Sequence, residues 1–138
     1  CVWERFSHDI LLRSIKDLLS RSKDARIYMV AGLHTGRSTL VHFFRHALAI
    51  GLCLVPVPPA DVWPTCPQET TALPGSEHIM ELEVGGTWDE HETPYLTGQR
   101  RPFLLHRGSP DQEDEPIQVR NHWLTVSCMA WAATEATP

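Results

Sequence analysis

Apolar residues in the first third of the chain recur with a helical period, then run together, then recur with a helical period again. Ile10, Leu11, Ile15, Leu18 and Leu19 hold the first helical spacing. Ser7 stands where an N-cap belongs and Asp9 falls in the first turn, so a helix is predicted over about residues 8–21. Arg21-Ser22-Lys23-Asp24 is its polar exit. Ile27 to Ala31 is nearly continuous in apolar residues, the pattern of a strand covered on both faces. Leu40, Val41, Phe43, Phe44, Ala47, Leu48 and Ile50 then form a broad stripe, with Ser38 or Thr39 as the cap and Gly51 at the C′ position. Helix, buried strand, helix is the repeating unit of a parallel α/β sheet, and the fold class is read as α/β.

Farther on the pattern changes. His78-Ile79-Met80-Glu81-Leu82-Glu83-Val84 alternates and ends at Gly85-Gly86, which predicts an amphipathic strand. From Asp89 to Pro116 turns dominate, apart from the short apolar piece Phe103-Leu104-Leu105, and His122 to Ala132 reads as a final strand. Two late strands joined by an irregular excursion favour an antiparallel pair at one end of the sheet. Between the halves, Pro56, Pro58, Pro59, Pro64, Pro67 and Pro74 are too many for regular structure. A disordered, proline-rich insertion over residues 53–76 is expected, separating 1–52 from 77–138 within one partial domain. No internal repeat is visible.

Composition sharpens that division. All eleven prolines lie after Gly51. Residues 1–51 carry eight Lys/Arg and four Asp/Glu, whereas 52–138 carry four and thirteen, within a net charge of −5. The basic residues are spread over several faces, so no nucleic-acid partner is expected. At 138 residues the chain suffices for one domain, provided that most of it joins the core. Cys1, Cys53, Cys66 and Cys128 form no C-x-x-C pair, and no apolar run has the length of a membrane span. Free thiols, no membrane partner and a cytoplasmic or nuclear location are expected. The chain opens directly in an apolar segment at Cys1, as an internal piece of a longer protein would.

The chemistry concentrates after Ala31. In open α/β sheets ligands sit beyond the carboxyl ends of the strands, which puts His34 and Arg37 where a pocket belongs. Gly32-Leu33-His34-Thr35-Gly36-Arg37-Ser38 invites comparison with the phosphate-cradling G-x-x-x-x-G-K-[ST] loop and departs from it twice. Three residues rather than four separate the glycines, and Arg37 replaces the lysine. His42 and His46 stand at i and i+4, a spacing able to bind a metal, but no acidic residue follows His42 and no third ligand is evident; they are read as packing or surface residues. The acidic run Asp111-Gln112-Glu113-Asp114-Glu115 is read as a solvated loop, and Trp63, Trp88, Trp123 and Trp131 as packing residues. No nucleophile elbow, paired catalytic carboxylates or G-x-G-x-x-G is present.

Several stretches together resemble the fungal branch of the nicotinamide N-methyltransferase-like proteins, seven-strand enzymes related to protein-lysine methyltransferases. They are Val2-Trp3, the helix with His8 and Leu12, Leu19-Ser20-Arg21-Ser22, Asp24-Ala25-Arg26, Gly32-Leu33-His34-Thr35-Gly36-Arg37 and Phe43-Phe44. Val84-Gly85-Gly86, Arg100-Arg101-Pro102-Phe103 and Asn121-His122-Trp123-Leu124 resemble the last two strands and their connection. The resemblance implies the C-terminal portion of a Rossmann-like seven-strand methyltransferase sheet, with Ile27–Ala31 as strand five, Ile79–Val84 as strand six and Trp123–Ala132 as strand seven. It implies S-adenosylmethionine as cofactor of the full-length protein, bound by glycine-rich and acidic motifs on earlier strands. It implies a protein side chain or small amine as methyl acceptor. Trp3 would be the aromatic wall facing that acceptor, and His34 and Arg37 would shape its mouth; alternatively Arg37 binds strand-end carbonyls and His34 caps the helix. The competing reading is a non-catalytic interaction module, a remnant without the cofactor half.

Overall fold

The computed structural model describes residues 4–58, 73–83, 99–105, 107–108 and 112–132. Trp3, Trp63, Trp88, the proline-rich stretch 59–72 and the Val84-Gly85-Gly86 segment therefore lie outside the described residues.

A single 3₁₀ turn, Arg5–Ser7, leads into α1 (His8–Leu18). Ser7 is the N-cap residue by position, yet its hydroxyl donates to Glu4 Oε2 at 3.3 Å instead of capping. The helix ends three residues before the predicted exit because Leu19 turns extended and the chain doubles back. There Trp131 Nε1 donates to Ser20 O at 2.9 Å and the Arg21 guanidinium lies 3.7 Å over the Trp131 ring. β1 (Ile27–Gly32) follows, then α2 (Arg37–Ala49) and β2 (Leu52–Val55). Between α2 and β2, Gly51 takes φ 102°, a left-handed conformation open to glycine at little cost. The remaining elements are a second 3₁₀ turn (Ser76–His78), β3 (Met80–Glu83), β4 (Arg100–Pro102), the short α3 (Ile117–Arg120) and β5 (Trp123–Trp131).

Mixed α/β architecture is confirmed, with one correction of topology. Every strand pairing among the described residues is antiparallel, so β1 does not sit in a parallel ladder here. β5 is the centre of an open five-stranded sheet. It pairs along one edge with β1, from Ile27↔Met129 to Gly32↔Leu124, and along the other with β2 and β3 placed end to end. β4 extends the sheet beyond β3. β2 also takes Cys53, Leu54 and Val55 out of the expected insertion and gives them ladder partners on β5.

Residues opposite one another in an antiparallel pair share a face, so register sorts the sheet into two sides. Ile27, Met29, Ala31, Leu52, Leu54, Trp123 and Met129 join the cluster that contains Leu12, Leu33, Leu40, Phe43, Phe44 and Ala47. This is the helix-covered side. The other carries Tyr28, Val30, Val126, Met80 and Leu82, and there Tyr28 and Val30 are each 64% exposed. The apolar run of β1 thus has one face in the core and one largely open, where the sequence predicts cover on both.

Candidate functional site

The corner after Ala31 is built by hydrogen bonds from three distant parts of the chain. Leu33 is fully buried, and its N–H bonds Trp123 O at 3.2 Å while Gly36 N–H returns to Leu33 O at 2.9 Å, closing a tight turn. Gly36 is the N-cap of α2 with φ 98°, and a Cβ there would meet Arg120 Nη1 at 3.2 Å. Arg120, on α3, donates from Nη1 to Leu33 O at 3.1 Å and His34 O at 2.9 Å, and from Nε to Glu115 O at 2.8 Å. The strand-end carbonyls are therefore held by Arg120, the role considered above for Arg37.

Arg37 points the other way. It is 0% exposed, and its guanidinium is divided among three carboxylates. Nε and Nη2 donate to Glu81 Oε2 and Oε1 at 2.9 and 2.7 Å, a bidentate pair from β3 with no exposure on either side. Nη2 also reaches Glu115 Oε1 at 2.8 Å, and Nη1 pairs with Asp114 Oδ1. Arg101 of β4 completes the group, donating to Glu81 Oε1 at 2.7 Å and Glu115 Oε1 at 2.6 Å while stacking 3.6 Å over Trp123. Two arginines thus face three carboxylates.

Asp114 has a second task. Its Oδ2 accepts the backbone N–H of Arg37 at 2.8 Å, so the N-terminus of α2 is capped by a carboxylate 77 residues away, and neither Ser38 nor Thr39 serves. That choice follows from charge. A cation on the first helical residue opposes the positive end of the helix dipole, and an anion placed at the same point offsets both. The acidic run, read from the sequence as solvated, is corrected here: Asp114 and Glu115 side chains are only 13% and 16% exposed.

These are fixed charges. Burial alone would lower the Arg37 pKa, but the hydrogen bonds and charges of Glu81, Glu115 and Asp114 outweigh it and hold the guanidinium more firmly protonated than usual. Burial would raise Asp114 and Glu115, yet N–H groups and the arginines keep both carboxyls below their ordinary range. Groups locked in this way hold a shape and do not exchange protons near neutrality. Burial also pushes the Cys128 thiol up, away from nucleophilic character.

The corner separates the two predicted site residues within it. His34 is exposed at the outer side of the turn, while Arg37, three residues on, is wholly internal. Glu81, Arg101, Asp114, Glu115 and Arg120 were not singled out by sequence reading, although an arginine just inside a helix start is a signal that carboxylates must approach it. The carboxylates Glu81, Asp114 and Glu115 are all engaged by arginines. Among the described residues no three His, Cys, Asp or Glu side chains converge to hold a metal, and no helix is long and apolar enough to cross a membrane. Comparison with known proteins returns no matching family model, curated protein or solved structure.

Proposed function

We propose that the chain is the C-terminal part of an S-adenosylmethionine-dependent N-methyltransferase whose acceptor is a protein side chain or a small amine. The observation that carries this reading is the neighbourhood of β1, β5 and β3 in one sheet. The three strands assigned by resemblance as five, seven and six lie side by side, with strand seven, β5, antiparallel to both others. The turn that ends β1 opens to solvent at His34.

In this reading the cofactor is held by the glycine-rich and acidic motifs that the resemblance implies on earlier strands. Trp3 supplies an apolar, cation-attracting wall for the amine, and His34 borders the mouth. Arg37 acts as a positioning residue: its buried ion pairs fix the turn that carries His34. Positioning an amine and excluding water from it are the contributions such a corner can make. The alternative, an interaction module that has lost its cofactor half, is favoured by one observation, the commitment of all three corner carboxylates to arginine.

The test is to express the in-frame chain that includes any upstream coding sequence and to measure S-adenosylmethionine binding and methyl transfer to proteins and small amines. Trp3→Ala and His34→Ala are expected to lower kcat and kcat/KM together while leaving cofactor affinity nearly unchanged. A longer chain that binds no cofactor sinks the enzyme reading. Full activity in both folded variants moves the acceptor site elsewhere.

A further inference from the structure

On the far side of α2 from the charged network, four polar side chains meet where the two long helices touch. His8 and Asp9 come from the first turn of α1, His42 and His46 from successive turns of α2. His8 is fully buried, and its Nδ1 lies 2.8 Å from His42 Nδ1, a distance that requires one shared proton. His46 Nδ1 lies 3.4 Å from Asp9 Oδ1. The His42 and His46 rings are stacked at 4.2 Å between centroids with a tilt of 33°.

The two α2 histidines therefore turn the same nitrogen toward α1 and leave the same nitrogen on the outer side. His42 Nδ1 is taken by His8, His46 Nδ1 faces Asp9 at 3.4 Å, and among the described residues no hydrogen bond holds either Nε2. We propose that the Nε2 atoms of His42 and His46 chelate a divalent transition-metal ion that prefers imidazole, such as Zn²⁺ or Ni²⁺, with water in the remaining positions.

Two features support the assignment. Histidines at i and i+4 on one helical face hold a bidentate chelate by spacing alone, and bonds of about 2.0–2.1 Å to a common ion bring two nitrogens to roughly 3 Å. The two rings lie 4.2 Å apart between centroids at 33°, and chelation requires them to splay until the in-plane lone pairs of both Nε2 atoms converge on one ion. Metal-bound histidines also commonly donate their other N–H to a carboxylate or similar acceptor, which fixes the tautomer; Asp9 and His8 stand in those places. With only two protein ligands the site is open and exchangeable. Its effect is to brace the start of α1 against the middle of α2.

The experiment uses the whole untagged chain, titrated calorimetrically near neutral pH with Ni²⁺ and then Zn²⁺, with thermal unfolding alongside. Saturable binding of one ion per chain and a metal-dependent rise in Tm are expected. His46 is partly exposed, so His46→Gln retains the metal-free Tm and lowers affinity at least tenfold. Asp9→Asn, which removes the charge that faces His46 Nδ1, lowers affinity by about tenfold. His122→Gln, at an exposed histidine on another part of the surface, leaves binding unchanged. Unaltered binding in His46→Gln assigns the ion to other side chains and overturns the proposal. So does the absence of saturable binding by the parent chain at millimolar metal.

Discussion

Arg37 shows how one side chain can organise a corner it does not touch from outside. Its removal leaves Glu81 buried with one arginine partner fewer, and stranding a buried charge typically costs about 3–5 kcal/mol. Arg37→Ala is expected to lose that much in urea unfolding. Arg37→Lys recovers only part of it, because a single ammonium cannot reproduce the forked contacts to three carboxylates. The same network sets an acid limit. Asp114 and Glu115 have folded pKa values below their unfolded ones, so their contribution is complete above about pH 4.5 and is lost as pH falls through the folded values. His42 is also depressed, so its neutral packing favours the fold above about pH 6.5 and weakens as pH drops below that. Stability followed by denaturant midpoint should therefore decline in two stages on acidification, the upper stage vanishing in His42→Gln.

At the level of elements, the sequence located most segments and misjudged their surroundings. Period alone placed α1, β1, α2, β3 and β5 to within a few residues, since each carries an apolar pattern that only one local geometry satisfies. The same pattern could not show that β1 leaves Tyr28 and Val30 largely open, because an apolar strand reads alike whether its second face is covered or not. β2 was hidden by the prolines that follow it. The carboxylates that finish α2 lie 44 to 78 residues from Arg37, and no local spacing announces a partner at that distance. Glycine positions give a measurable contrast. Gly51 and Gly75 both have left-handed φ, but an added Cβ meets only Trp131 at 3.9 Å in the first case and Leu54 Cβ at 2.8 Å in the second. Gly51→Ala should cost about 1 kcal/mol, the conformational strain alone. Gly75→Ala should cost about 3 kcal/mol, as β2 is also displaced, and chemical denaturation of the pair tests the difference.

For the molecule as a whole, the two faces of the sheet differ: away from the helices Met80, Leu82, Cys128 and Ala130 are buried while Tyr28 and Val30 are largely open. α1 and α2 share one face, while Tyr28, Val30 and Val126 lie on the other, an arrangement that suits a layer of a larger α/β body. The chain by itself is therefore expected to show no micromolar affinity for S-adenosylmethionine in calorimetric titration. Micromolar binding would require a seat for the cofactor apart from the paired carboxylates of the corner. The central place of β5 has a further consequence, for the order of events during synthesis. β1, β2 and β3 all take their pairing from the last described strand, so each leaves the ribosome well before its partner exists. Only the short β3–β4 contact can form earlier. Until residue 131 emerges, the apolar strands β1 and β2 wait with open edges, exposed to whatever else in the cell binds nascent β-structure. Folding of the described residues is thus a late, nearly all-or-none event, governed by the arrival of β5.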